Sequence, residues 1–197
     1  MTHADLIQRA LEHGIDHAAF VARAEQRAAS TDAGDPYIEY RKLNVARVQR
    51  QAKTYTPSDE MLAAMRGITS PQTWVCITED WCGDSAQTEG IVAAIAACNP
   101  LVTYRVLDRD THPDAMDMFL TNGSRSIPIV ICFDEHATQQ WVWGPRPTAA
   151  LPIVEQWKKE HSVNSEWYPK LHAWYAQHAH REVEHDIIAR MSAHQGA

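Results

Sequence analysis

The sequence predicts an α/β fold, in which a small mixed β-sheet has helices on both faces and helical segments before and after it. Strand-like runs at 73–78 and 101–108 enclose a helical stretch, which is typical of two parallel strands joined by a crossover helix. Two further runs, at 127–133 and 139–143, flank the turn-forming segment DEHAT and predict an antiparallel hairpin. The predicted order of elements is therefore helices, then β-α-β-α-β-β, then helix.

The N-terminal part of the chain is predicted to be helical. Apolar residues recur at helical spacing over 4–29, and only Gly14 interrupts the pattern. Residues 37–53 predict a second helix, which holds five of the 18 basic residues and one acidic residue, Glu39. A charged run of this kind is typical of a solvated helix face. The same basic helix is also a candidate docking surface.

Three more helices are predicted next to the strands, from capping patterns, proline positions and breakers. The first spans 57–66, where Thr56 and Asp59 form a T-x-x-D cap and Pro57 takes the first helical position. The second runs from Gly83 to Cys98. The third is short, is capped by Thr111 and Asp114, and ends at Asn122-Gly123.

A chain of 197 residues fits one ordinary domain with extensions. Because 148–197 is helical by pattern, the sequence predicts a helical extension at each end of a central α/β domain. The predicted boundaries are 1–56 for the N-terminal extension, 57–160 for the domain with the sheet, and 161–197 for the C-terminal extension.

Charge and composition limit the partners and the location that we expect. The net charge is −7 and the pI is about 5.8, which argues against nucleic acid as a partner. The sequence has no run of about 20 apolar residues, so no membrane span is predicted. The N-terminus lacks the pattern of a secretory signal. We therefore expect a cytoplasmic protein whose four cysteines are free thiols, with the oligomeric state left open.

The segment ITEDWCGDSAQ lies at the predicted junction between a strand and a helix. Cys82 is expected at the N-terminus of that helix, where unpaired N–H groups and the helix dipole stabilise a thiolate. Such a position lowers the pKa of a cysteine from about 8.5 toward about 7 or below. Cys82 is therefore predicted to be an exposed nucleophile, and the alternative is a buried apolar role.

Two motifs carry a family resemblance. Residues 72–146 resemble the thioredoxin superfamily, with WCGDS standing where that family has W-C-G-P-C, and SIP resembles its cis-proline element. The resemblance implies a thioredoxin-like sheet in which Ile127 and Pro128 face Cys82 and, with Trp81, bind the substrate. TEDWCGD and WGPRP also resemble a bacterial group of thioredoxin family proteins whose members often lack the second cysteine.

The sequence departs from this pattern at Ser85, which replaces the second cysteine of the motif. A serine cannot attack a mixed disulfide to release the substrate, so exchange within the motif is excluded. By their positions in the chain, none of the other three cysteines is a good resolving thiol; these are Cys76, Cys98 and Cys132.

Charged residues around the motif act in opposite directions. Glu79, Asp80 and Asp84 surround Cys82, and nearby negative charge disfavours a thiolate. Ser85 can donate a hydrogen bond to a thiolate, and Arg146 is a candidate to attract an anionic group of the substrate. The sequence leaves open which effect dominates.

Three functions are compatible with this site. The first is a monothiol oxidoreductase, in which Cys82 attacks a disulfide of a protein or a small thiol, Ser85 stabilises the thiolate, and an external thiol resolves the adduct. The second is a binding module that holds a partner protein or peptide without turnover. The third is the bridging of an iron–sulfur cluster. It is suggested by the C-G-x-S spacing, which also occurs in monothiol glutaredoxins that bridge such clusters with an external thiol.

We expect no cofactor and no metal. His178, Glu182 and His185 fall at i, i+4 and i+7 on one predicted helix face, a spacing that could hold a metal ion. Eleven histidines in 197 residues produce such coincidences, so the spacing alone does not indicate a metal site.

Overall fold

The structure, a computed structural model, describes residues 1–32 and 34–195 and contains a four-stranded mixed sheet. The strands are β1 (Gln72–Thr78), β2 (Val102–Asp108), β3 (Ile129–Asp134) and β4 (Gln139–Trp143). Their order in the sheet is β2-β1-β3-β4, with β1 parallel to β2 and antiparallel to β3, and β3 antiparallel to β4. The predicted parallel pair and hairpin, and with them the α/β class, are confirmed.

Helices surround this sheet and make up most of both ends of the chain. They are α1 (His3–His13), α2 (His17–Ala28), α3 (Ile38–Thr54), α4 (Asp59–Arg66), α5 (Gly83–Ala96), α6 (Pro113–Met116), α7 (Leu151–Glu160) and α8 (Asn164–Gln195). Among the residues that the structure describes, no helix is both long enough and apolar enough to cross a membrane.

The predicted break at Gly14 separates α1 from α2 because the chain pairs there with the sheet edge. Ile15 exchanges two backbone hydrogen bonds with Val106 of β2, at 3.0 and 2.8 Å. A Cβ on Gly14 would lie 2.3 Å from the carbonyl oxygen of Ala10, so only glycine fits this close approach. Asp16 then caps α2 by accepting a hydrogen bond from the N–H of Ala19.

Two predicted helix starts are wrong. Ser58, not Thr56, caps α4 by accepting a hydrogen bond from the N–H of Met61, and Pro57 precedes the cap. The N–H of Ser58, which a cap at Thr56 could bind, instead donates to the carboxylate of Glu184 at 2.9 Å. The hydroxyl of Thr111 bonds back to the chain before α6, which spans one turn and ends well short of Asn122-Gly123.

The core has one apolar layer on each face of the sheet, as the alternation of side chains along a strand requires. Trp74 and Cys76 of β1 lie in the layer shared with α5 and α8, whereas Val75 and Ile77 lie in the layer shared with α1 and α6. Helix α5 is buried on nearly its whole circumference, including Gln87, because α3 and α8 pack on its outer side. Helices α3 and α8 therefore enclose the helix that begins after Cys82.

Candidate functional site

The cysteine of the motif lies at the junction that the sequence predicts. Cys82 is the N-cap residue of α5, four residues after the end of β1. Its Sγ–H donates a hydrogen bond to the carbonyl oxygen of Ile127 at 3.4 Å, and the Ile127–Pro128 peptide bond is cis. The structure thus brings Cys82, Ile127 and Pro128 together at one end of the sheet.

The prediction that Cys82 is exposed is wrong, because the residue has only 9% of its surface accessible. Burial, the largest cause, and the charge of Asp84, the second largest, raise the pKa of the Cys82 thiol to about 11. The Ser85 hydroxyl and the backbone N–H groups of Ser85 and Asp84 act in the opposite direction, since they favour a thiolate. The effect of burial on the pKa is larger than that of the donors, so Cys82 is a protonated thiol at neutral pH.

Ser85 is buried beside the thiol, with 2% of its surface accessible. The hydroxyl of Thr78, the last residue of β1, donates a hydrogen bond to Ser85 Oγ. The proton of Ser85 is therefore free to point toward the Cys82 sulfur. Thr78 is a member of the site that the sequence analysis did not identify, because its role depends on this buried contact.

Arg146 reaches the site from the loop after β4, where it pairs with Asp84. Nη2 of Arg146 donates to Oδ2 of Asp84 at 2.5 Å, and the hydroxyl of Tyr175 in α8 donates to Oδ1 at 2.8 Å. A Cβ on Gly144 would lie 2.1 Å from the carbonyl oxygen of Pro128, so this loop packs directly on the proline. The charge of Arg146 is thus balanced by a carboxylate of the chain itself.

Two side chains pack on the indole ring of Trp81. Tyr37, just before α3, stacks on the ring with 4.6 Å between ring centroids, and the guanidinium of Arg109 lies 4.8 Å from the ring centroid. The ring is therefore already engaged by side chains of the chain itself.

The other two acids of the motif are buried rather than solvated. Asp80 accepts hydrogen bonds from Arg41 at 2.7 Å and from Arg27 at 3.0 Å, so its charge is neutralised. Burial raises the pKa of Glu79 to about 7, although the N–H of Asp110 donates to its carboxylate at 2.8 Å. Asp84 is the acid of the three that raises the pKa of Cys82.

The remaining cysteines lie away from this thiol. Cys76 and Cys132 are fully buried in the apolar layer on the α5 and α8 side of the sheet, whereas Cys82 belongs to the other layer. Cys98 is half-buried beyond the end of α5, and its thiol donates to the carbonyl of Ala94. Within the described residues all four cysteines are free thiols, and none is placed to resolve an adduct on Cys82.

Polar residues from the covering helices complete the site, and sequence reasoning missed most of them. A Cβ on Gly83 would lie 2.9 Å from Cε1 of His172 in α8 and 3.3 Å from Nη1 of Arg47 in α3. The basic character of 37–53 was a signal for Arg47, but no sequence pattern indicates His172. In residues 1–32 and 34–195, no group of three or more His, Cys, Asp or Glu side chains could hold a metal ion.

A mixed four-stranded sheet, a cysteine at the start of the helix after β1, and a facing prolyl peptide define a thioredoxin-like α/β protein. The sequence profile of a family described as Thioredoxin matches residues 31–158, more than half of the chain. The chain therefore belongs to this thioredoxin family. No curated protein matches the sequence.

Two solved structures resemble the whole chain. A protein of unknown function from Pseudomonas aeruginosa has a TM-score of 0.65 at 17% identity, and the match covers 98% of each chain. An HIV epitope scaffold has a TM-score of 0.66 at 17% identity, and the match covers 100% of this chain and 99% of that one. At this identity the likeness concerns the fold alone, and it extends over the terminal helices as well as the sheet.

Proposed function

We propose that this chain is a thioredoxin-fold binding protein, in which Cys82 stays protonated and does not turn over disulfides. The observation that carries the proposal is the burial of the Cys82 sulfur with its proton donated to the carbonyl of Ile127. Thiol exchange needs a thiolate that a disulfide can reach. A pKa of about 11 leaves on the order of one thiolate in 10⁴ molecules at pH 7.

The candidate binding surface is the exposed flank of α3 next to the site. Tyr40 and Leu43 have 52% and 57% of their surface accessible, which is high for large apolar side chains. Arg47 and Arg50 follow on the same flank at helical spacing and are half-buried. An aromatic, an aliphatic and two basic side chains on one flank suit an acidic partner protein or peptide.

A second candidate, monothiol exchange, is favoured by the donors around the sulfur. The Ser85 hydroxyl and the N–H groups of Asp84 and Ser85 would stabilise a thiolate if the site opened. The thiolate of Cys82 would attack a disulfide, form a mixed disulfide and release one thiolate of the substrate. An external thiolate would then attack the mixed disulfide and return Cys82 to the thiolate form.

Alkylation kinetics at each cysteine separate the two candidates. The chain is treated with iodoacetamide at pH 7, and the modified peptides are measured by mass spectrometry. The binding proposal expects Cys82 to be alkylated as slowly as the buried Cys76 and Cys132. Half-buried Cys98 and the unfolded chain serve as the reactive controls. Alkylation of Cys82 faster than Cys98 at neutral pH would refute the binding proposal and favour monothiol exchange.

A Cys82→Ser variant provides the second test. The binding proposal expects the parent and the variant to reduce a mixed-disulfide substrate at the same background rate in the presence of an external thiol. Loss of the activity in the variant, with an unchanged melting temperature, would establish Cys82 as a nucleophile instead.

A further inference from the structure

Three arginines lie around His172, and two of these side chains pack on Gly83. Arg47 and Arg50 come from α3, Arg146 from the loop after β4, and His172 from α8. Nε2 of His172 and Nη1 of Arg47 lie 3.2 and 3.3 Å from the point where a Cβ on Gly83 would stand. Because residue 83 has no side chain, polar groups from two different helices pack directly against its backbone and lie close to each other.

Arg47 and Arg50 have no carboxylate within salt-bridge distance in the described ranges 1–32 and 34–195. Nη1 of Arg47 donates to Oδ1 of Asn44 at 2.7 Å, and Nη2 of Arg50 donates to Oε1 of Gln87 at 2.5 Å. Both acceptors are neutral amides. Arg146, in contrast, is paired with a carboxylate of the chain.

His172 presents a further donor beside these guanidinium groups. Oε1 of Gln87 accepts from Arg50, so the amide nitrogen of Gln87 is the atom that faces Nδ1 of His172 at 3.1 Å. An amide nitrogen only donates, so Nδ1 is the acceptor and the ring proton lies on Nε2. Among the residues that the structure describes, no acceptor lies within hydrogen-bond distance of Nε2.

The charges of this cluster do not balance. Asp84 is the neighbouring carboxylate, and it is already engaged by Arg146 and Tyr175. The three arginines and Asp84 leave two positive charges in a chain whose net charge is −7. Burial and the charge of Arg50 lower the pKa of Arg47, and burial with the three arginines lowers the pKa of His172 to about 4. An anion bound to Arg47, Arg50 and His172 would relieve that repulsion.

We propose that Arg47, Arg50 and His172 bind an oxyanion, a carboxylate or a phosphate, on the partly exposed face that these three side chains form next to Gly83. The guanidinium groups supply the charge and charge-assisted hydrogen bonds, and the Nε2–H of His172 supplies a neutral donor. This inference rests on the proposed binding function and adds to it the chemistry of the ligand. Tyr40 and Leu43 are exposed on the same helix as Arg47 and Arg50, so the oxyanion would be one group of a larger acidic ligand.

Isothermal titration calorimetry of the full chain with inorganic phosphate and with succinate tests the proposal. We expect saturable binding of at least one probe, and the comparison tells whether phosphate or carboxylate is preferred. Arg47→Gln and Arg50→Gln should each weaken the affinity by roughly tenfold, the usual contribution of a charge-assisted hydrogen bond. Gly83→Ala should weaken binding, since the new methyl group would lie 2.9 Å from Cε1 of His172 and displace its ring.

Arg66→Gln is the matched control. Arg66 is exposed in the last turn of α4, so this substitution removes the same charge at a position outside the proposed site. Unchanged affinity in this variant, with weakened affinity in Arg47→Gln and Arg50→Gln at unaltered melting temperature, would support a defined site. Absence of saturable binding of either probe at millimolar concentration would overturn the proposal. So would equal weakening in all three arginine variants, which would indicate nonspecific attraction.

The same titration on Cys82→Ser keeps the two proposals distinguishable. The oxyanion site does not involve the sulfur, so the affinity of this variant should equal that of the parent. If Cys82 proves reactive in the alkylation experiment while the probes still bind, the binding-only function fails and the oxyanion site stands. If Cys82 is inert and no probe binds, only the oxyanion site fails.

Discussion

The pair formed by Asp84 and Arg146 permits a sharp test of how the site is held together. Asp84→Asn removes one charge and keeps the shape of the side chain. The two partners have 11% and 19% of their side-chain surface accessible, so the pair is largely shielded from water. Breaking a buried pair by removing one charge costs about 3–5 kcal/mol. Because Arg146 keeps some contact with water and asparagine still accepts one hydrogen bond, we expect a loss of about 2–3 kcal/mol.

A loss of this size should lower the melting temperature by about 5–10 °C in a protein of this length. The charge of Asp84 also raises the pKa of Cys82, so the variant should show a lower pKa for Cys82 in the pH dependence of alkylation. The value should stay above the ordinary range of a cysteine, since burial is the larger cause. Calorimetry and alkylation thus report two independent consequences of one substitution.

Asp114→Asn is the matched control, because Asp114 forms an Arg–Asp pair with Arg9 at 2.7 Å. There the side chains have 55% and 30% of their surface accessible, and water screens the pair. We expect no measurable change in melting temperature and no change at Cys82. Equal destabilisation by the two substitutions would refute the argument from burial, and an unchanged pKa of Cys82 in Asp84→Asn would refute the argument from charge.

Two further substitutions test the surroundings of the site. Burial raises the pKa of Glu79 from 4.5 to about 7, so the stability that its neutral form contributes is present below pH 4.5 and is lost as the pH rises through 7. Glu79→Gln should therefore be more stable than the parent by up to about 3 kcal/mol at pH 8 and equal to it near pH 4, measured by urea unfolding; a constant difference would contradict the reasoning. Tyr37→Ala removes the ring stacked on Trp81. It should lower the free energy of unfolding by about 0.5–1.5 kcal/mol more than Tyr40→Ala, which removes an exposed tyrosine ring. Equal losses in the two tyrosine variants would show that the stacking contributes nothing.

The sequence predicted the parts of the fold that local patterns determine. The run at 73–78 became β1, the hairpin formed around DEHAT, and Gly14 ended the first helix. In each case the signal lies within a few residues of its consequence, as a strand run, a turn or a breaker. The cap of α4 was misplaced because Thr56 and Ser58 both offer a hydroxyl, and the N–H of Ser58 is bound by Glu184, which is distant in sequence.

The candidate site was predictable in its position but not in its state. Cys82, Ile127 and Pro128 meet as the motif resemblance implied, since strand and helix order determines their placement. The burial of the thiol depends on contacts between distant parts of the chain. Tyr175 meets Asp84 across 91 residues of sequence, and no local pattern indicates which face of α8 lies over the site.

Helices α3 and α8 both pack on α5, and each supplies one donor that lies against Gly83, Arg47 from α3 and His172 from α8. Cys82 instead belongs to the apolar layer that α1 and α6 share. A movement that separated α3 from α8 would therefore separate the donors of the proposed oxyanion site. An anion held by both helices binds the packed form preferentially and stabilises it over an open form.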